Sequence, residues 1–190
     1  QAASKLQLVL NKLTGSLPTE VGHLTDLTTG AYPGDNSGQA FMCGNTLRGL
    51  LPTQIGRLQK MSSRLNFRYN ELSGALPTQI GSITRLAGAL LFDQNSFSQS
   101  IPTELGSLSI LKFTFRLDEN SLTGSVPTQL GTLTDITSLF KLNGNSFCSD
   151  IPTEVAALSE SWVTNPSANP TTWSVAEGNF VGPTPCPAVS

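Results

Sequence analysis

The chain repeats itself, and that periodicity limits the folds open to it more than any other feature. A Pro-Thr pair recurs at Pro18, Pro52, Pro77, Pro102, Pro127 and Pro152. The last four intervals are 25 residues each and the first is 34, so nine extra residues sit in the first unit. Asn11, Asn45, Asn70, Asn95, Asn120 and Asn145 keep the same spacing. A fixed period of this size means stacked units, each of which buries its apolar flank only against its neighbours.

The unit reads position by position. An alternating apolar pair precedes most of the asparagines: Leu6 and Leu8, Leu65 and Phe67, Leu90 and Phe92, Phe115 and Leu117, Phe140 and Leu142. Alternation of period two predicts a short strand with one buried face. The unit at Asn45 departs, offering Ala40 and Met42. Two residues after each asparagine an apolar residue returns, as Leu13, Leu47, Leu72, Phe97, Leu122 and Phe147. An asparagine side chain both donates and accepts, so it is expected to bond the backbone of its own coil and of its neighbour where the chain turns inward. Proline fixes φ and gives up a donor, which suits the first turn of a short helix. The threonine after it is expected to hydrogen-bond the start of that helix. Next comes an inward apolar residue, then a glycine expected to turn the chain, at Gly22, Gly56, Gly81, Gly106 and Gly131. Ala156 takes the glycine's place in the last unit, which fits a terminal coil.

The string "LQLVLNKLTGSLPTEVGHLTDL" at residues 6–27 and its later copies follow LxLxxNxLxGxIPxxLGxLxxL. Over most of residues 5–158 the chain resembles the plant-type leucine-rich repeat family. That family is known from receptor-kinase ectodomains, polygalacturonase-inhibiting proteins, and secreted proteins of algae and protists. The resemblance implies an α/β fold: a right-handed leucine-rich repeat solenoid, with a parallel β-sheet on the concave side and short 3-10 or helical segments on the convex side. One departure is the period, 25 here against about 24 in the usual plant-type unit. The additional residue falls between the outer helix and the strand.

Residues 1–159 are read as the solenoid and residues 160–190 as a C-terminal cap or tail. Residues 28–38, "TTGAYPGDNSG", are read as a loop insertion. A loop on a rigid scaffold either carries function or is a tolerated surface insertion. In the tail, Trp162 and Trp173 are expected to cover the end of the core, with sugar stacking as a second use. "GNF" at Gly178–Phe180 echoes the asparagine coil.

Charged residues make up only 13% of the chain and the formal net charge is −2. That balance argues against nucleic-acid binding. No apolar run reaches the roughly 18 residues of a membrane span. No basic segment followed by an apolar one opens the sequence as a signal peptide would, a pattern that a mature secreted chain shares. The resemblance implies an extracellular or cell-surface, secreted protein. Three cysteines occur, Cys43, Cys148 and Cys186. The odd count leaves at least one unpaired or paired between chains. A disulfide between Cys148 and Cys186 would staple the tail to the solenoid. Three free thiols in a reducing compartment are the alternative. No N-glycosylation motif is present, because Asn165 and Asn169 precede prolines.

Nothing in the sequence assembles a catalytic centre. The one histidine, His23, stands at a variable position without a fixed partner. No phosphate loop, metal-ligand cluster or nucleophile elbow occurs. Glu20, Glu104 and Glu154 alternate with Gln54, Gln79 and Gln129 at one repeat position, as first-turn residues favoured by the helix dipole do. The expectation is a non-enzyme with no cofactor and no metal.

Binding is the stronger expectation. Counting back from each asparagine, the residues six, four, two and one earlier point out of the sheet, on the side the family uses for ligands. Candidate ligand-binding residues there are Arg64, Asn66, Arg68, Tyr69, Leu91, Asp93, Arg116, Asp118, Glu119 and Lys141. Strands about 4.8 Å apart bring Arg68, Asp93 and Asp118 into one ladder. Tyr69 with Arg68 is the candidate hot spot. The bland reading is that these charges pair and keep the sheet soluble. The expected partner is a protein, a peptide or a cell-wall carbohydrate, with the chain as part of a larger assembly. Competing readings are a structural or adhesion component, an inhibitor of a secreted hydrolase, and an ice-binding protein. The last would use the file Thr19, Thr53, Thr78, Thr103, Thr128 and Thr153.

Overall fold

The computed structural model describes residue 6 and residues 8–27, 42–163, 173–175 and 178–179. The insertion at 28–38 lies outside them, and the side chains of Trp162 and Trp173 are not described. In chain order the strands are β1 (Thr14–Ser16), β2 (Thr46–Leu50), β3 (Arg64–Asn66), β4 (Glu71–Gly74), β5 (Ala89–Leu91) and β6 (Ser96–Gln99). They continue as β7 (Thr114–Arg116), β8 (Ser121–Gly124), β9 (Leu139–Lys141), β10 (Ser146–Phe147) and β11 (Trp173–Ser174). Short 3-10 helices span Thr19–His23, Thr53–Arg57, Thr78–Ser82, Thr103–Ser107 and Thr128–Thr132, and an α-helix, α1, spans Thr153–Val163.

The strands form two parallel sheets, ordered β11-β9-β7-β5-β3 and β1-β2-β4-β6-β8-β10. In the first, Leu65 pairs with Leu90, Leu90 with Phe115 and Phe115 with Phe140. Equivalent residues of successive units therefore lie side by side, which is the α/β leucine-rich repeat solenoid expected from the period. The second sheet was not expected; a turn was read where it lies. Strands β4, β6, β8 and β10 carry one buried apolar residue each, Leu72, Phe97, Leu122 and Phe147, so there is no alternating pair to read.

The core is a continuous apolar column. Phe67, Phe92, Phe97, Phe115, Phe140 and Phe147 have no exposed surface. Phe115 stacks on Phe140 at 5.1 Å between centroids, and Phe67 meets Phe92 edge-on at 5.7 Å. Burial of each such ring contributes on the order of 1.5–3 kcal/mol, with aromatic geometry adding to it.

The asparagines form the polar seam. Asn120 donates its side-chain amide to the carbonyls of Phe92, Leu117 and Asp118, each at 3.1 Å, and accepts from the Phe97 amide at 3.0 Å. Asn70, Asn95 and Asn145 repeat the pattern. The tail continues it. Asn179 accepts from the Phe147 amide at 3.0 Å and donates to the carbonyls of Leu142 and Val175. Together with β11 it makes a further, shortened rung, so the repeat does not stop at the tail.

Two local expectations need correction. Gly22, Gly56, Gly81, Gly106 and Gly131 have no left-handed φ; they are there for space. A Cβ on Gly22 would meet the Gln54 carbonyl oxygen at 2.6 Å, and the other four would strike the backbone of the next coil in the same way. Ala156 is exposed and lies in α1, and among the described residues no further 3-10 segment packs against it. The threonines do not cap the short helices either: the proline holds the cap position and each threonine is the first helical residue. Their hydroxyls instead donate to the next side chain, Thr19 to Glu20 at 3.2 Å and Thr103 to Glu104 at 3.3 Å.

Candidate functional site

Strict alternation would send the residue just before each asparagine into the core. The backbone prevents this by turning left-handed there. Leu10, Tyr69, Gln94 and Glu119 have φ between 53 and 56°, and Gly44, Gly144 and Gly178 have φ between 64 and 73°. A left-handed non-glycine residue is disfavoured by about 1–2 kcal/mol. The ladder holds it in place: the amides of Tyr69, Gln94 and Glu119 donate to the carbonyls of Asp93, Asp118 and Asn143 in the next coil. The coils with Leu10, Tyr69, Gln94 and Glu119 thereby show two consecutive side chains on the concave side, and the coils with glycine there show one.

The inner of these two files runs Cys43, Arg68, Asp93, Asp118, Asn143. Asp93 is wholly buried. A guanidinium nitrogen of Arg68 stands 3.1 Å from its carboxylate and one of Arg116 stands 3.2 Å away. Arg116 also grips Asp118 through two hydrogen bonds, of 2.8 and 2.6 Å. Arg68 lies over the Tyr69 ring at 4.5 Å from its centroid and donates to the Tyr69 hydroxyl at 3.0 Å. The expected ladder is thus present, with one difference: Asp118 is held by Arg116.

Several outward positions turn out to be covered. Asn66, Leu91, Asp93 and Asp118 are buried, and Arg116 is only 14% exposed. The arginines lie across the carboxylates they neutralise, so register gives these side chains their direction but not their exposure. Tyr69 and Glu119 are exposed, and Arg64, Arg68 and Lys141 are partly so. Among the described residues, Arg64 and Lys141 enter no ion pair.

Charge neutralisation at Asp93 is not matched by hydrogen bonding. Neither carboxylate oxygen has a hydrogen-bond partner, nor does Nε of Arg68 or Oδ1 of Asn143. All three residues belong to the same file. Burial pushes the Asp93 carboxyl above its ordinary value, and the Asp118 charge adds to this. Arg116 and Arg68 oppose the rise without cancelling it. The Cys43 thiol is likewise raised by burial, with Arg68 pulling it down. The Arg116 guanidinium is raised, first by its hydrogen bonds to Asp118.

The remaining candidates lie elsewhere. His23 is exposed at the end of the first 3-10 helix. Among the described residues no three His, Cys, Asp or Glu side chains gather to hold a metal ion, and no helix is long and apolar enough to cross a membrane. The six file threonines are exposed on the convex side. A depression of about 320 Å³, lined in part by Thr53, Gln54, Arg57 and Gln79, also lies there. Cys148 is disulfide-bonded and Cys43 is a free thiol; Cys186 lies outside the described residues.

No protein-family model and no curated protein matches the sequence. Solved structures do. One is the leucine-rich repeat ectodomain of the plant membrane receptor kinase GASSHO1/SCHENGEN3 from Arabidopsis thaliana, in complex with CASPARIAN STRIP INTEGRITY FACTOR 2. It is 32% identical over 81% of this chain and 17% of that one, with a TM-score of 0.70. A second is the plant peptide hormone receptor RGFR1 in complex with RGF2, 28% identical over 90% of this chain and 23% of that one, TM-score 0.70. A third is the BIR3–SERK2 complex from Arabidopsis thaliana, 28% identical over 74% of this chain and 68% of that one, TM-score 0.54. The chain spans 17% and 23% of the lengths of the first two. These matches agree with the two parallel sheets, the 3-10 segments and the asparagine seam: the chain belongs to the plant-type leucine-rich repeat family.

Proposed function

We propose that this chain is a non-enzymatic, extracellular recognition module that holds a peptide along its concave face. The observation that carries the reading is the left-handed residue before each asparagine, which turns Leu10, Tyr69, Gln94 and Glu119 out beside the preceding side chain instead of into the core. Tyr69, Glu119, Lys141 and Arg64 are its accessible groups. Tyrosine and arginine are the favoured anchors of such surfaces. The similarity to ectodomains solved with RGF2 and with CASPARIAN STRIP INTEGRITY FACTOR 2 supports a peptide ligand.

The test is capture of peptides from the native extracellular fraction on immobilised chain, read by mass spectrometry. Wild type is compared with a Tyr69→Ala, Lys141→Glu double variant and with a Thr78→Tyr, Thr103→Tyr double variant. The reading expects a defined set of peptides to be lost from the first variant and kept by the second. The reverse pattern would move the binding surface to the convex threonines.

A further inference from the structure

The least satisfied side chain on the concave face is also its most buried charge. Asp93 has no exposed surface and two guanidiniums within 3.2 Å, yet neither oxygen accepts a hydrogen bond. Its two partners are not equally committed. Arg116 is fixed by two hydrogen bonds to Asp118 and its side chain is 14% exposed. Arg68 has an unpartnered Nε, is 24% exposed, and is otherwise held by the exposed Tyr69.

We propose that Arg68 is an exchangeable partner: an acidic group of a bound peptide draws its guanidinium off Asp93, and the abandoned carboxylate takes up a proton from solvent. A buried carboxylate that loses one of two counter-charges is driven toward its neutral form. The charged groups that decide its state are Arg68 from the preceding coil and Arg116 and Asp118 from the following one; the Cys43 thiol, one coil further back, is itself pushed up by burial and by Asp93. Glu119, Lys141, Arg64 and Tyr69 are the other titratable groups on this face. The proposal rests on the concave face being the ligand surface and adds the chemistry of the ligand, an acidic peptide whose binding is linked to proton uptake.

The probe is a rhodamine-labelled hexapeptide of cysteic acid, whose sulfonates stay ionised, titrated onto the whole chain and read by fluorescence anisotropy between about pH 4.5 and 8. Wild type should bind more tightly as pH falls. The isosteric Asp93→Asn variant should bind at neutral pH roughly tenfold more tightly than wild type and without pH dependence, while Arg68→Gln abolishes binding in both backgrounds. A thermal melt of each variant confirms that it is folded. Probe binding that is lost in Tyr69→Ala but indifferent to pH and to Asp93→Asn would overturn the exchange and leave the concave surface standing. Binding indifferent to Tyr69→Ala and Arg68→Gln alike would overturn both. Capture of a labelled polyuronic acid fragment, with none of the sulfonated peptide, would overturn the assignment to a peptide.

Discussion

Asn95 and Phe67 are 28 positions apart in the chain, and the Asn95 side-chain amide donates to the Phe67 carbonyl oxygen at 3.0 Å. The same amide group reaches the Phe92 carbonyl of its own coil at 3.2 Å. One side chain thus binds two coils and satisfies backbone that the inward turn would otherwise strand.

Asn120→Ala should therefore cost about 3 kcal/mol or more. It orphans the Phe97 amide and the carbonyls of Phe92, Leu117 and Asp118, and each buried orphan carries a penalty of about 1–3 kcal/mol, partly relieved by relaxation. Urea unfolding measures the loss. A change below about 0.5 kcal/mol, typical of surface sites, would mean that the seam is not structural.

Gly81→Ala should destabilise and Ala156→Gly should not do so comparably. A Cβ on Gly81 would meet the Glu104 carbonyl oxygen, its carbon at 2.8 Å and Cβ of Glu104 at 2.8 Å. That forces two coils apart at a cost of about 1–3 kcal/mol. Among the described residues Ala156 has no following 3-10 segment to strike, so its replacement costs the helix propensity difference, about 1 kcal/mol. Thermal melts of both variants decide the matter.

The solenoid was legible because its period is a property of the sequence itself. The strand register, the asparagine seam and the direction of Arg68, Asp93 and Arg116 all follow from aligning equivalent residues. What did not follow was how closely particular groups of neighbouring coils approach one another. The burial of Asp93 depends on where two arginine side chains come to rest. The role of Gly81 depends on how closely Glu104 approaches. The rung at Asn179 was faintly visible as "GNF", but its strand at Trp173 pairs with Phe140 across a longer interval than the repeat period.

Stability should fall as pH rises through the window just above the ordinary Asp93 value of 3.8. The folded chain holds the Asp93 proton to higher pH than the unfolded chain does. Between the two values it binds more protons, so raising pH favours unfolding; above the window the contribution is constant. Asp93→Asn removes this dependence and should be at least as stable as wild type at neutral pH, because it mimics the neutral carboxyl that the fold favours while Arg116 keeps its bonds to Asp118 and Arg68 reaches solvent. Denaturation midpoints at about pH 4, 5.5 and 7 test it; a large loss confined to neutral pH would contradict it.

Cys148→Ser should lower stability by about 2–4 kcal/mol. Cys148 is disulfide-bonded while Cys43 is free, and the partner we propose is Cys186. A non-reducing digest should contain a Cys148–Cys186 peptide and an alkylated Cys43. A peptide joining Cys43 to either residue would exclude this pairing.

The most direct test of the recognition reading is a footprint of the bound ligand. Peptides retained from the extracellular fraction are cross-linked to the wild-type chain and the attachment points mapped by mass spectrometry. The account predicts attachment at Tyr69, Glu119 and Lys141, on three coils of one face. Attachment confined to the convex residues, such as Thr78 and Gln79, would contradict it.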